Sequence, residues 1–560
     1  MRAVALVAVV AACGSGPRAH GDAGGGARDG GDGPRATPDA MELVATCADA
    51  EADRSYIGCE YWAVDLHNAL EVVDVQGGDG CSFAPDPVTE TLMVCAGSGS
   101  NAGTVAGLCD PPDNGCPDGY ACAATAVCVE DAQHAPFAVV VSNPQPLAVD
   151  VTMTGPDGTM FTQSIAPGAV AIMSPQGQPQ QIPDQSLAGT EIARRAYRLV
   201  STLPIVAYQF NPLSNVGVFS NDASLLIPRT AFDTTYYAMS WPTDDRRSVA
   251  PGEQDFYGYL TVVAWQDGTV VEVTPTAAIQ SSATQTSIAA GTPTQFTLNA
   301  FDVLNLEAVA GGDLTGSKVT AVDGAQTFGV FGGHVAAEFG GTTPPDPDHT
   351  DGPCCADHLE EMLFPTSTWG KTFAIARSQP RIDTPDLLRV LAERDGTTVA
   401  FDPAPATGSC STPLAAGQFC QVEIQVDTEI VASAPVSVGH YLESAIWADG
   451  LGGTIGTGDP SMAIAVPVEQ YRSRYVLPVP IAYDENYFSI STTGAGPVLV
   501  DGAEITLKPF GAGSRGARVL VKSGAHTLTC PDSCGVEVYG YSDAVSYQFA
   551  GGLDLKQIIF

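Results

Sequence analysis

The chain is dominated by short runs in which Val, Thr, Tyr and other apolar residues alternate with polar ones, punctuated by Gly, Pro, Asp and Asn. Two-residue alternation buries one face of a strand, and the punctuating residues supply turns. Long stripes with the 3.6-residue period of an amphipathic helix are almost absent. The pattern predicts an all-β fold. With 44% hydrophobic residues, the 560-residue chain has enough apolar surface for several cores. Its length alone argues for roughly three or four domains.

The strand pattern repeats. A small-residue turn recurs as Ile165-Ala-Pro-Gly168, Ile288-Ala-Ala-Gly291 and Leu414-Ala-Ala-Gly417. A hairpin recurs as Ala264-Trp-Gln-Asp-Gly-Thr269 and Ala392-Glu-Arg-Asp-Gly-Thr397, where Asp-Gly suits a tight turn with positive φ. A closing strand recurs as "PIVAYQF" (204–210), "TFGVFGG" (327–333), "PVSVGHY" (435–441) and "GVEVYGY" (535–541). Three connectors each carry a proline and two aromatics at steps of four: Pro228/Phe232/Tyr236, Pro365/Trp369/Phe373 and Pro467/Tyr471/Tyr475. Their rings are expected to be buried, on a short helical turn or an extended anchor. Each unit is therefore larger than a propeller blade of about 45 residues and close to a β-sandwich of about 100. Four sandwich-like units are predicted, in series or around an axis.

The formal charge of −39, with 24 Lys+Arg, leaves no cationic surface for nucleic acid or an anionic membrane. Met1-Arg2, the apolar run Ala3–Val10 and the small residues before Cys13 form an export signal. Val10-Ala-Ala-Cys13 also resembles the bacterial lipobox, which makes Cys13 the expected lipidation site; the plain alternative is cleavage near Ala12. Residues 1–13 are thus a lipoprotein-type signal, 14–40 a flexible Gly/Asp-rich tether, and 41–560 the β-repeat region. The expected location is the cell envelope, at the outer membrane or cell surface.

Cys13 aside, the fourteen other cysteines of an exported chain are disulfide candidates: Cys47, Cys59, Cys81, Cys95, Cys109, Cys116, Cys122, Cys128, Cys354, Cys355, Cys410, Cys420, Cys530 and Cys534. Cys47 with Cys59, Cys410 with Cys420 and Cys530 with Cys534 are natural local pairs. The Gly/Pro-rich insert at 109–128 is expected to hold two bridges among its own four cysteines. Cys354-Cys355 allows a vicinal bridge or two separate partners.

Chemistry concentrates in "CCADHLEEMLFPTSTWGKTF" (354–373). Gly370-Lys-Thr372 ends like a P-loop, but Pro365 stands where the first glycine is required, so the phosphate cradle fails. His358 has no second histidine at ligand spacing; His334, His349 and His440 would join it only through the fold. Asp346, Asp348 and Asp351, with Asp357, offer hard oxygen ligands, so calcium is the one cofactor left open; a solvated acidic loop is the plain alternative. Gly511-Ala-Gly-Ser-Arg-Gly516 matches a dinucleotide fingerprint without its βαβ setting, and no Ser/His/Asp set announces itself. Asp459-Pro-Ser461 and Asp222-Ala-Ser224 read as turn caps in equivalent places. No catalytic motif is found.

With the repeats in place, the chain resembles the N-terminal domain family of the IgG Fc-binding protein. The carrying stretches are "SYIGCEYWAVDLHNA" (55–69), "FAVVVSNPQ" (137–145), "YRLVSTLPIVAYQFNPL" (197–213) and "SNDASLLIP" (220–228), then "DLTGSKVTA" (313–321) and "FGGH" (331–334). They continue with "ADHLEEMLFPTSTWGKTF" (356–373), "GDPSMAIAVPVEQYRSRY" (458–475) and "FAGGLDL" (549–555). The resemblance implies an adhesive or binding module of the cell exterior, with an extracellular protein or glycan as partner and no enzyme activity or cofactor to carry over. Fc binding itself does not follow. A surface hydrolase or metal-dependent enzyme whose residues meet only in the fold, and a purely architectural envelope protein, are the alternatives.

Overall fold

Strands account for nearly all regular structure in the computed structural model, which describes residues 46–560 apart from 79–80, 82–87, 110–115, 178–180, 214–217, 219, 246–254, 341–354, 382–383, 449–453, 482 and 543–544. The single α-helix among the described residues is Cys47–Asp53, capped by the Thr46 side chain on Asp49 N. No described helix is long and apolar enough to cross a membrane.

The four predicted units are present and share one construction. In the first, the strand Tyr197–Asn211 pairs through its first half with Gly58–Ala63 and Val149–Thr154. Through its second half it pairs with Ala138–Ser142 and Asp222–Leu226. In the third, Thr428–Leu442 pairs first with Gly370–Ile375 and Val399–Asp402, then with Asp386–Ala392 and Ser461–Ile464. Both long strands alternate buried and exposed positions in their first half and are wholly buried in their second. The reason is geometric: the first half has one solvent face, and the second runs into the interior with both faces covered. Gly524–Ser542 repeats the construction in the fourth unit. In the second unit the long strand is broken into Lys318–Ala321 and Gly329–Ala337.

After each long strand the chain turns back as an inner strand: Asp222–Leu226, Asp357–Met362, Ser461–Ile464 and Val545–Ala550. Each inner strand packs on the next, and the last packs on the first. The units therefore surround an axis rather than follow in series. The ring is closed by the chain ends: Ser55 bridges Asp554, Tyr56 N donates to Leu553 O, and Leu555 N donates to Arg54 O. That accounts for the place of "FAGGLDL" at the end of the repeat.

The connectors resolve into one 3₁₀ turn each, begun by the proline and ended by the first aromatic: Arg229–Ala231, Thr366–Thr368 and Val468–Gln470. The second aromatic lies in the strand that follows, and both rings are buried in all three. Tyr236 and Tyr475 donate their hydroxyls to Phe328 O and Cys534 O, where the long strand changes sheets. Tyr61 does the same to Ile205 O. "SYIGCEY" is thus a fourth connector end, hidden from sequence comparison because it lacks the proline. Gly58 and Gly370 occupy matching positions, and a Cβ on either would lie 2.3 Å from the Cβ of the next connector's proline, Pro228 or Pro467. Glycine is required there so that successive units can close on each other.

The cysteine-rich insert is larger than the 109–128 segment. Leu70–Val75, Tyr120–Asp131, Val88–Gly97 and Val105–Leu108 form a separate four-stranded sheet in that order, over a small core of Val94, Val127 and Val129. Its bridges are Cys81–Cys128, Cys95–Cys116 and Cys109–Cys122. The expectation of two bridges within 109–128 is corrected, because pairing of Val88–Gly97 with Tyr120–Asp131 sets Cys95 beside this segment. The local pairs Cys47–Cys59, Cys410–Cys420 and Cys530–Cys534 form as expected, and Cys355 is also disulfide-bonded.

Candidate functional site

Two regions gather polar chemistry: the axis of the ring, and an outer groove where the first two units meet.

At the axis, Asp222 begins the first inner strand and is fully buried. Its Oδ1 accepts from Ala223 N at 2.9 Å, Ser461 Oγ at 3.0 Å and Gln548 N at 3.2 Å. Its Oδ2 accepts from Glu360 N at 3.2 Å and Met462 N at 3.4 Å. One carboxylate thereby ties all four inner strands. Burial raises its pKa well above the ordinary range, with the Ala223, Gln548 and Glu360 N–H groups pulling the other way. Asp357 acts similarly, accepting from Asn221 N and His358 N on Oδ1 and from Ser546 N on Oδ2. Burial and the neighbouring Asp459 carboxyl raise it. Burial lifts Asp459 to about 7, against the lowering effect of Asp357 and Arg381. This pair of acids retains a proton near neutrality.

The strand register offsets Asp222 from Asp459. Asp222 lies opposite Asn211 and Ser461 opposite Leu442, each at the end of its long strand, so Ser461 is the residue equivalent to Asp222. The two aspartates are not equivalent turn caps: Asp222 ties units together, while Asp459 lies buried beside Asp357.

The histidines are buried as well. His440 lies between the third and fourth units, Nδ1 at 2.6 Å from Glu537 Oε2 and Nε2 at 2.9 Å from Asp386 Oδ2. Burial alone would depress it, but Glu537 and Asp386 raise it to about 10, and Asp386 is held below its ordinary value despite its burial. An imidazolium thus lies between two carboxylates. His358 points Nδ1 at Val335 O, 3.1 Å away, with Glu360 Oε2 at 3.7 Å from Nε2. Burial lowers His334 and His358 to about 3, so both are neutral. All three are 0% exposed. Glu360 and Glu361 are equally buried, and burial raises both; Glu360 accepts from Gln209 Nε2 and Glu361 from Ser224 Oγ.

Of the four expected calcium ligands, Asp357 is on the axis with its oxygens occupied by backbone N–H groups; Asp346, Asp348 and Asp351 lie outside the described residues. His349, Cys354 and Cys13 lie outside them too. Among the described residues, the one group of three close ligating atoms is Cys95, Cys109 and Cys116, whose sulfurs are spent in disulfides. Lys371 of the Gly-Lys-Thr triplet stands over the Phe560 ring, 3.9 Å from its centroid.

The outer groove, of about 350 Å³, is lined by Glu60, Trp62, Arg198, Arg229, Trp265, Ala300 and Phe301. Glu60 and Trp62 come from the first strand, Arg198 from the long strand beside it, Arg229 from the connector turn, and Trp265 and Phe301 from hairpins of the second unit. Glu60 accepts from Arg198 Nε and from Arg229 Nε, both at 2.9 Å. Arg198 lies over Trp62, and Arg229 over Trp265 at 4.7 Å. Beside them Arg194 lies 5.0 Å from the Phe301 centroid. Trp62 meets Phe301 edge to face at 4.8 Å, and Trp265 Nε1 is fixed on Thr327 O. The site is not legible in the sequence because its residues are scattered from 60 to 301, and the stretches that hold Glu60, Trp62, Arg198 and Trp265 read as strand and hairpin repeats.

A family model described as IgGFc binding protein matches residues 222–540, more than half of the chain. The chain belongs to the IgGFc binding protein family. That region starts at the first inner strand and ends within the last long strand, so it spans three of the four units of this family member. No curated protein matches the chain. Among solved structures, a tetra-tandem repeat in the extending region of a large adhesion protein covers 76% of this chain and 97% of its own, at 11% identity and a TM-score of 0.08. That likeness carries no argument. The disulfides are bonds of an oxidising compartment and, with the family, mark an extracellular protein.

Proposed function

We propose that this chain is a lipid-anchored cell-surface protein, attached through Cys13, that binds an extracellular protein or glycan and has no catalytic activity of its own. Membership of the IgGFc binding protein family carries the reading. The burial of His334, His358, His440 and the axial acids supports it: side chains that would serve as acid, base or ligand are shut away from solvent. Recognition then falls to the outer surface, where loops and seams are carried on a rigid ring.

The test is to immobilise the mature chain and measure saturable capture of shed cell-surface and matrix glycoproteins, with Fc fragment as one named probe. Saturable capture supports the reading; absence of any binding overturns it. Mass spectrometry of the exported protein tests the anchor, with diacylglycerol on Cys13 expected and a free N-terminus contradicting it. Calcium is a separate proposal, tested by melting with and without chelator: a drop in Tm on chelation supports an ion near Asp346, Asp348 and Asp351.

A further inference from the structure

We propose that the groove between the first two units binds an acidic sugar, a pyranose carrying a carboxylate. The inference rests on the binding reading above and names the ligand class for one site.

Three observations converge. First, the chain has 63 acidic residues against 24 Lys+Arg, so cations are scarce, yet Arg194, Arg198 and Arg229 all stand at this groove. Against them stand Glu60, Glu51 toward solvent and Asp267 on Ala300 N, so charge balances at the groove on a protein that is elsewhere strongly negative. Second, the guanidiniums retain donors. Glu60 takes the Nε of both Arg198 and Arg229 and Glu51 takes one Nη of Arg229, while no described acceptor takes either Nη of Arg198. Glu60 thereby fixes the orientation of two forks without exhausting them, and a guanidinium fork is matched by a carboxylate. Third, Trp265 and Phe301 are partly exposed beside the guanidiniums, above the buried Trp62, and the ring surface that Arg229 and Arg194 leave open can meet the C–H face of a sugar. Phe301 holds φ 72°, a costly conformation for a residue with a side chain, and its carbonyl is anchored by the N–H groups of Arg195 and Ala196.

The repeat supplies an internal control. Tyr61 pairs with Leu199 as Phe373 pairs with Ile430 and Tyr475 with Leu528, so the Trp62/Arg198 pair corresponds to Ala374/Glu429 in the third unit and Val476/Thr527 in the fourth. The second unit keeps a weaker version, Tyr237/Lys318, but Glu393 replaces Trp265 in the equivalent hairpin. The framework does not demand aromatics and arginines at these positions. A groove of about 350 Å³ lies at the lower end of the range for small-molecule sites and admits one or two sugar rings.

The experiment is calorimetric titration of the mature full chain with 3′-sialyllactose and with a galacturonate oligomer, each against lactose as the neutral probe. Saturable binding of an acidic sugar is expected, at least tenfold tighter than lactose and weakened by 0.5 M salt. Arg198→Ala/Arg229→Ala should lose at least tenfold in affinity, and Arg198→Lys less. Both should keep the wild-type Tm within a few degrees, which excludes a folding defect. Absence of binding by both acidic sugars, equal binding of lactose, or undiminished affinity of a folded double variant would overturn the proposal, as would binding of an Asp/Glu-rich peptide in their place. If wild type and double variant capture the same extracellular glycoprotein equally, the groove fails and the binding function stands. If wild type captures nothing at all, the binding reading fails with it.

Discussion

The axis and the outer groove both collect charged side chains between units, yet the two are built in opposite ways. At the axis, carboxyl groups are removed from water and met by backbone N–H groups of other units, as when Asp222 receives N–H groups from three other inner strands or their flanks. In the groove, Arg198 and Arg229 share one carboxylate and keep donors directed to solvent. The first arrangement shuts its polar atoms away from solvent; the second leaves donors at an accessible surface. A dense polar cluster therefore says little about function until its accessibility is known.

Four substitutions would break or sharpen that contrast. Asp222→Leu strands the buried N–H groups of Ala223, Glu360 and Gln548 and the Ser461 hydroxyl, at about 1–3 kcal/mol each. Calorimetry should show loss of the cooperative transition or no folded protein. His440→Asn removes the cation between Asp386 and Glu537 and should cost about 3–5 kcal/mol by denaturant titration.

The pH dependence has a definite sign. His440 is raised above its unfolded value, so its contribution is complete below about 6.5 and is lost as pH rises through about 10. Asp386 is depressed, so its contribution is present above the ordinary carboxylate range and fades in acid. Asp459, raised to about 7, holds a proton that the unfolded chain has released. Between about pH 4 and 7 it should make stability fall with rising pH, by up to about 1.4 kcal/mol per unit. Asp459→Asn should remove its share of that slope and leave the share of the other raised acids, Asp222, Asp357, Glu360 and Glu361. At the small end, Arg198→Ala breaks a half-exposed ion pair and should cost under about 1 kcal/mol, seen as an almost unchanged Tm.

Much of the ring was legible in the chain. Alternation specified strands, and recurring Pro/aromatic triplets marked the joints because each proline starts a turn whose aromatics must be buried. Asp222 and Asp459 open similar tripeptides, but only the register of Asn211 and Leu442 reveals which residues are equivalent. The histidines and acids of 357–361 looked chemical because reactivity depends on exposure, and exposure belongs to the closed ring rather than to twenty consecutive residues. The groove was illegible for the converse reason: Trp62, Arg198 and Phe301 are ordinary residues until three separate segments bring them together.

The central claim, that the axis holds the ring together while the outer surface acts, is tested most directly by Glu361→Gln. Burial raises the Glu361 pKa and so favours the neutral acid, which glutamine matches in shape, and the variant should fold with a Tm close to wild type. Its saturable capture of immobilised extracellular matrix should equal that of wild type. A folded Glu361→Gln protein that had lost capture would place the working chemistry on the axis and contradict the account.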